Sequence, residues 1–384
     1  MNVTDQSARL WHRPPRALLV LGALACWLII GASPASAHSV SGGGSTNLHT
    51  TLTGMNPAVD GVTLASVENG SRVRLTVSGN HTVIVRGYSG EPYLRIDPTG
   101  VWRNALSSAT YLNASRYGSS SLPAGSDDTA PPRWEKIGDS GATVWHDHRT
   151  HWMGTQDPPV VLAAPDRFHE IYTWMIPLTV DGRAVSVTGA LDWVPGPSPA
   201  PWVVLVIALA AGVVALGLLR RAGRALAAAV TTIVAADVTH SVLIAFSRAD
   251  SRLSGFLLGN TVEMVAWTLG LVAAVLLVRG STTGVYLAAT AGFVIAMVGG
   301  FADIGLLYRS GAPVAGPLAL ARTLTTVTIG IGVGLLGAVT VVTRRHGWRE
   351  RTTSGEGGPQ PGPQPGPDVG TEPPTMRPRP DMAG

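Results

Sequence analysis

The sequence predicts an immunoglobulin-like β-sandwich outside the cytoplasm, followed by an all-α bundle of five transmembrane helices. Three observations support this fold class. The 384-residue chain is 45% hydrophobic and only 14% charged, which is too apolar for an ordinary soluble protein. Short alternating apolar runs fill much of its first half. Five long apolar runs fill most of the second half.

The first 37 residues have the pattern of a secretory signal peptide. Three arginines precede an apolar run from Ala17 to Ala32, and Ala35-Ser36-Ala37 fits the small-x-small cleavage rule. An uncleaved anchor helix is the alternative, and both predict that the next residues leave the cytoplasm. Cys26 is the one cysteine and lies in this run, so the exported part has no disulfide. Residues 38–61 are predicted to be a flexible leader.

Residues 62–195 are predicted to form the β-sandwich. Apolar and polar residues alternate at 73–77 as they do in half-buried strands, and the pattern continues over 168–193. Turn formers such as Asn69-Gly70 and Asp181-Gly182 separate the runs. Several short strands with this punctuation are typical of an immunoglobulin-like domain.

A Pro-rich linker, 196–201, leads into the membrane region 202–343. Each predicted span is long enough to cross about 30 Å of hydrocarbon as a helix. The spans are 202–219, 225–246, 256–278, 285–307 and 314–343.

Arginine placement predicts the orientation of this bundle. Arginines are more numerous in the first and third connections and after the last span, taken together, than on the opposite side. The positive-inside rule therefore predicts a multi-pass plasma-membrane protein with its N-terminal domain outside and its C-terminus in the cytoplasm. Residues 344–384 repeat Pro-Gly-Pro-Gln and are predicted to be a disordered cytoplasmic tail.

Three histidines lie within six residues in the segment Trp145–Met153. In an extended backbone His146 and His148 point to one face, and a turn after them would bring His151 to the same place. Three imidazoles form a ligand set that zinc and copper sites use. Met153 adds a thioether that suits Cu(I). The segment is therefore a candidate site for copper or zinc.

The same segment also fits a purely structural interpretation. Asp147 is predicted to orient a ligating ring if a metal binds. Alternatively, the rings bond to Asp147, Arg149 and the backbone while Trp145 and Trp152 fill the core. The sequence leaves both interpretations open.

Cleavage after Ala37 would make His38 the N-terminal residue, with both its amine and its ring available to copper. This arrangement resembles the copper brace of CopC-like periplasmic copper proteins, which are also β-sandwiches. The Gly-rich leader after His38 departs from that pattern, because a brace requires a fixed backbone. An ordinary mature N-terminus is the alternative.

Five ionisable residues lie within the predicted spans, where such groups are costly unless they face the interior of the bundle. They are Asp237, His240, Glu263, Asp303 and Arg322. One hypothesis is a cation or proton site open toward the exported domain. The other is an ion-pair network around Arg322 that fixes helix packing.

The run Gly87-Tyr-Ser-Gly-Glu-Pro-Tyr-Leu-Arg95, together with Trp145–Met153, resembles a family of exported multi-span membrane proteins of high-GC Gram-positive bacteria. The likeness covers about 62–195 and, more loosely, the spans. It implies the same architecture and no particular activity.

These observations predict a non-enzymatic membrane protein. Its first predicted function is metal handling at the outer face of the lipid bilayer in which it lies. The predicted ligand is copper or zinc. The alternative is a structural or signalling protein that recognises an envelope partner without a metal. A metal-dependent hydrolase is disfavoured, because no nucleophile or general-base carboxylate is placed beside the histidines. Nucleic-acid binding is not expected, since no arginine cluster has aromatic neighbours that could stack on bases.

Overall fold

A computed structural model describes residues 44–114, 121–248 and 252–354. The predicted signal peptide, Cys26, His38 and most of the predicted cytoplasmic tail lie outside these residues. One compact unit of the chain ends at Val342 and contains both the N-terminal strands and the helices up to that point.

Ten strands occur in the described part of the chain. They are β1 Leu48–Asn56, β2 Val62–Val67, β3 Arg72–Val77, β4 Val83–Arg86, β5 Pro92–Asp97, β6 Gly100–Asn104, β7 Trp134–Gly138, β8 Ala142–Trp145, β9 His169–Val180 and β10 Arg183–Trp193. Two short helices accompany them, α1 Ser108–Leu112 and α2 Pro159–Ala163. We call this region the β-domain.

The strands form two antiparallel sheets that share one core. One sheet has the order β1-β10-β9-β4-β5-β6-β7, and the other has the order β2-β3-β8. Leu75 from the small sheet and Ile96 and Ile176 from the large sheet are fully buried in the same cluster. The predicted sandwich of antiparallel strands is therefore present. An immunoglobulin-like arrangement is not confirmed, because constant-type domains of that fold divide their strands four and three rather than seven and three.

Two predicted turns join neighbouring strands in left-handed conformations. Asn69 and Gly70 have φ values of 55° and 84°, and Asp181 and Gly182 have values of 49° and 81°. Asn, Asp and Gly tolerate this region. The β9–β10 connection is a two-residue hairpin, whose twist requires it, whereas the β2–β3 connection has four residues, 68–71.

The prediction of a flexible leader over 38–61 is wrong for its second half. β1 pairs antiparallel with β10 along its length, from Leu48 opposite Trp193 to Asn56 opposite Ser186. The strand was missed because its partner lies more than 130 residues further along the chain, and its own polar residues gave only a weak alternation.

Six helices follow the β-domain in the described residues. They are α3 Ala200–Leu216, α4 Ala222–Ser247, α5 Arg252–Gly259, α6 Thr261–Val278, α7 Thr282–Ile295 and α8 Leu318–Ser354. Four helical segments among them are long and apolar enough to cross a membrane: Ala222–Ser247, Thr261–Val278, Thr282–Leu307 and Leu318–Arg345. The first predicted span corresponds to α3, an apolar helix of 17 residues that is shorter than those four. Five spans are therefore not confirmed.

Two predicted spans differ from the structure in their course. The span expected at 256–278 is divided, because Asn260 leaves the helical conformation (φ −118°, ψ 25°) between α5 and α6. The span expected at 285–307 continues α7 through a π-helical turn, Ala296–Gly300, and then a 3-10 helix, Phe301–Leu307. Such mid-helix irregularities often mark functional sites or hinges. We call this stretch, 296–307, the broken segment.

Glycines allow α8 to approach α3 closely. A Cβ at Gly330 would lie 2.8 Å from the Cβ of Leu209, and one at Gly334 would lie 2.6 Å from the Cβ of Val213. Both glycines therefore serve helix packing, which is the usual role of small residues between membrane helices.

The β-domain contacts the helices through the loop after the broken segment. The backbones of Thr46 and Gly311 form a β-bridge, and Asn47 Oδ1 accepts a hydrogen bond of 2.8 Å from the Ser310 amide. Ser310 Oγ lies 2.8 Å from His49 Nε2 and donates to the carbonyl of Val194 at 2.7 Å. These contacts place the start of β1 and the end of β10 against the bundle.

Candidate functional site

The predicted histidine segment forms a tight turn directly after β8. The Thr150 amide and hydroxyl both donate to the carbonyl of Asp147, at 3.0 and 2.9 Å. This turn reverses the chain and brings His151 back toward the other two rings. The ring centroids of His148 and His151 are 5.6 Å apart, and those of His146 and His151 are 6.5 Å apart. We call these three residues the histidine cluster.

A buried ion pair supports the turn. Asp147 is fully buried and accepts hydrogen bonds of 2.7 Å from both Nε and Nη2 of Arg149. Trp145 Nε1 donates to the same carboxylate at 3.0 Å. Burial disfavours the charged guanidinium, but the hydrogen bonds that it donates to Asp147, and the negative charge there, raise the pKa of Arg149 overall. Asp147 therefore holds the loop together through Arg149 and Trp145.

Each histidine of the cluster is held by a contact from another part of the chain. His146 donates from Nδ1 to the carbonyl of Ser71 at 2.7 Å, so Nε2 is the acceptor nitrogen whenever the ring is neutral. The His148 amide donates to the hydroxyl of Tyr88 at 3.0 Å, and the two rings stack with centroids 6.0 Å apart. Tyr172 donates to the carbonyl of His151 at 2.9 Å.

Two of these supporting residues were missed by sequence reasoning. Ser71 lies in the β2–β3 turn, 75 residues before its partner, and nothing near it in the sequence indicates a ligand shell. Tyr88 belongs to the Gly87–Arg95 motif, which did carry a signal. Burial raises the pKa of Tyr88. Its phenol therefore stays protonated, and its hydroxyl donates to Asn113.

Other residues of the Gly87–Arg95 motif pack against neighbouring side chains. Glu91 is buried and accepts a 2.6 Å hydrogen bond from Ser107 Oγ. Gly87 leaves room for that carboxylate, because a Cβ there would overlap it. The Arg95 guanidinium lies 4.8 Å and 5.0 Å from the ring centroids of two tryptophans, 102 and 134.

The cluster does not form a closed set of metal ligands. Among the described residues no group of three or more His, Cys, Asp or Glu is arranged to hold an ion. Two imidazoles on one zinc ion would have centroids about 5 Å apart with their nitrogens converging. Here the ring centroids of His148 and His151 are 5.6 Å apart, and the ring planes are inclined by 19°. Met153 is half-buried in the same loop.

The intramembrane residues gather around the broken segment. His240 on α4 and Asp303 are in hydrogen-bonding contact, with 3.0 Å between Nε2 and Oδ2. Asp237, one turn earlier on α4, accepts a 2.7 Å hydrogen bond from Trp267 Nε1 on α6. Glu263 is fully buried one turn before Trp267 on α6. The prediction that these polar groups face the interior of the bundle agrees with their burial.

Arg322 has a different role from the predicted ion-pair network. Its Nε donates to the carbonyl of Leu306 at 2.9 Å, and its Nη2 donates to the carbonyl of Arg309 at 2.8 Å. Carbonyls at the end of a helix lack intrahelical donors and attract a cation. Arg322 therefore caps the end of the broken segment. The 3-10 geometry that frees these carbonyls was not visible in the sequence.

The break itself accommodates one of the acids. Gly299 lies directly against the Asp237 carboxylate, and a Cβ at this position would overlap it. Asp303 has non-helical backbone angles of −103° and 18°. The helix irregularity thus coincides with the buried polar groups.

Searches with protein-family models, against curated proteins and against solved structures found no match to this chain.

Proposed function

We propose that this membrane protein binds a transition metal ion, copper or zinc, through His146, His148 and His151, and handles that metal at the outer face of the plasma membrane. The observation that carries the proposal is the gathering of three imidazole rings, within 5.6 and 6.5 Å of one another, at one turn. Dense imidazole is the donor type that both metals prefer.

The support around the cluster is consistent with a metal role. Ligating histidines usually donate their second ring nitrogen to a carbonyl or carboxylate, which fixes the tautomer. His146 has this arrangement, with Nδ1 bonded to Ser71. His148 and His146 are half-buried whereas His151 is buried, so an ion would reach the cluster from the side of His148.

The rest of the proposed architecture follows the sequence prediction. A cleaved signal peptide exports the β-domain, and α3 serves as a fifth span, because 17 residues is the lower limit for crossing the hydrocarbon. The histidine cluster lies toward the end of the β-domain that contacts the bundle, since Thr50 Oγ1 donates to the carbonyl of Thr150 and Thr50 is only three residues from Asn47. In this arrangement the acidic residues within the spans lie on the same side of the protein as the bound metal.

Metal analysis of the intact, detergent-extracted protein tests this proposal. After loading with Cu or Zn and removal of free ion, the protein should retain about one ion per chain, and His146→Ala and His148→Ala should abolish retention. His81→Ala is a matched control, because His81 pairs with Asp181 at a different turn. Retention by the cluster variants, or none by the wild type, would refute the proposal.

The second candidate is recognition of an envelope partner without a metal. It is favoured by the stacked rings and by the bonds that already hold the turn, both of which suit a rigid surface loop. A thermal midpoint that neither Cu nor Zn changes would support this candidate, since a ligand that binds only the folded state must raise that midpoint.

A further inference from the structure

A set of apolar side chains lies exposed on α2 and on the loop that follows it. Val160, Leu162 and Phe168 are 46%, 60% and 61% exposed. Within α2 itself, Val161 is the buried residue. The segment 159–168 is thus attached to the β-domain by few side chains and presents its larger ones outward. Exposed apolar groups close together commonly mark a contact surface.

Hydrogen bonds fix this segment to the end of the large sheet. Trp193 Nε1 donates to the carbonyl of Pro165 at 2.9 Å, and His169 Nε2 donates to the carbonyl of Ala164 at 2.7 Å. His169 and Trp193 are themselves opposite each other in the β9–β10 pair. Because Trp193 ends β10 seven residues before α3 begins at Ala200, the segment lies where the β-domain continues into the bundle.

The end of the large sheet that holds His169 and Trp193 lies at the level where the candidate membrane spans end. Val194, the next residue after β10, accepts a hydrogen bond from Ser310, which follows the broken segment by three residues. Tyr308 is exposed beside it, with the Arg309 guanidinium 5.4 Å from its ring centroid. An exposed tyrosine next to an arginine at the end of an apolar helix is typical of the boundary between hydrocarbon and water.

A second short helix at this level has the same character. Ser247, the last residue of α4, donates to the carbonyl of Pro313 at 2.6 Å, so α5 begins beside the loop that contacts the β-domain. Leu253 and Leu258 on α5 are 71% and 76% exposed. Short helices with outward apolar residues at a span's end are suited to lying in the interfacial plane.

We propose that Val160, Leu162 and Phe168 insert into the interfacial region of the lipid bilayer and hold the β-domain against the membrane. This inference depends on the helices crossing a bilayer, and it is independent of metal binding and of which side the domain occupies. Asp166 and Arg167, the two exposed residues directly before Phe168, carry opposite charges. Insertion therefore relies on apolar contact and does not require anionic lipid.

A fluorescent label sensitive to polarity tests the proposal in the full chain. In a Cys26→Ser background, Phe168→Cys is labelled with nitrobenzoxadiazole, and the protein is reconstituted into phosphatidylcholine vesicles. The label should emit at shorter wavelength than in water, resist quenching by iodide, and be quenched by a nitroxide on the lipid acyl chain. Leu162→Cys should behave in the same way, and both positions are exposed, so folding should survive the change.

Ile137→Cys is the matched control. Ile137 is 47% exposed on β7, at the edge of the sheet opposite β1. In the large sheet β4 lies between β9 and the strands that end with β7. Within the 12-residue strand β9, β4 pairs with only the last three residues, which lie about 30 Å from the start of β9 at His169. The label there should remain open to iodide and silent to the lipid quencher.

Two results would overturn the proposal. Iodide quenching at position 168 equal to that at 137 would show that the segment faces water. Protection from iodide without quenching by the lipid nitroxide would show that another protein, or a second copy of this chain, covers the segment instead.

Discussion

Replacing Asp147 with asparagine removes one negative charge from the fully buried support of the histidine cluster. In the wild type its carboxylate accepts from Trp145, from two guanidinium nitrogens of Arg149 and from the Arg149 amide at 3.2 Å. Asparagine has a single acceptor oxygen, and its side-chain NH2 group is a donor that would face other donors. The substitution therefore leaves the Arg149 charge, only 19% exposed, without its counter-charge.

The cost follows from the burial of this pair. Breaking a buried ion pair by removing one partner typically costs about 3–5 kcal/mol. The Arg149 guanidinium keeps a 3.2 Å hydrogen bond to the carbonyl of Arg86 and its position 5.0 Å from the Tyr88 ring centroid, so we expect the lower end of that range. A loss of about 3 kcal/mol is a decrease of roughly 100-fold in the ratio of folded to unfolded β-domain, and for a domain of this size it lowers the melting temperature by about 6–12 °C.

Tryptophan fluorescence of the full chain in detergent measures this change, because five of the tryptophans lie in the strands of the β-domain. Asp181→Asn is the control, since Asp181 is 49% exposed and its pair with His81 should contribute less than about 1 kcal/mol. If the Asp147 variant melts within the range of the control, the buried pair does not stabilise the turn and the reasoning fails.

Three further predictions concern other contacts. Burial outweighs the opposing charge of Asp192 and lowers the pKa of His49 below its ordinary 6.5, so stability is fully present above that value and is lost as pH falls through the folded-state pKa. His49→Gln should remove this pH dependence from the melting temperature between about pH 7 and 5. Arg322→Leu leaves the carbonyls of Leu306 and Arg309 uncapped and should cost about 1–3 kcal/mol for each in detergent thermostability, whereas an unchanged midpoint would show that water replaces the guanidinium. Gly87→Ala overlaps a buried carboxylate and should lower the melting temperature of the β-domain, while Gly125→Ala, with nothing within 4 Å, should not; equal melting would contradict the packing argument.

The sequence predicted those parts of the fold whose signals are local. The Asp181-Gly182 turn and the alternation on both sides of it predict the β9–β10 hairpin, and the structure contains this hairpin. β1 was predicted as leader because its pairing with β10 depends on residues far away in the chain. The long apolar runs likewise predict helices but not the division at Asn260, where one backbone conformation decides between one helix and two.

The candidate site shows the same limit. The spacing of His146, His148 and His151 was enough to predict that their rings gather at a turn. Their partners Ser71 and Tyr88 lie in the β2–β3 and β4–β5 connections, and their pairing with the histidines could not be predicted because tertiary packing selects it. In the bundle, the adjacent glycines at 299 and 300 were the one local hint of the broken segment, and glycine pairs are common where helices deviate.

The four-residue β2–β3 turn, 68–71, is constrained at both of its ends. Ser71 holds the ring of His146, while a Cβ at Gly311 would lie 2.8 Å from the Oδ1 of Asn69. Lengthening this connection by a single residue would displace either Ser71 from His146 or Asn69 from Gly311. Most surface hairpins accept insertions readily, but here even one added residue should detach either the imidazole or the interhelical loop.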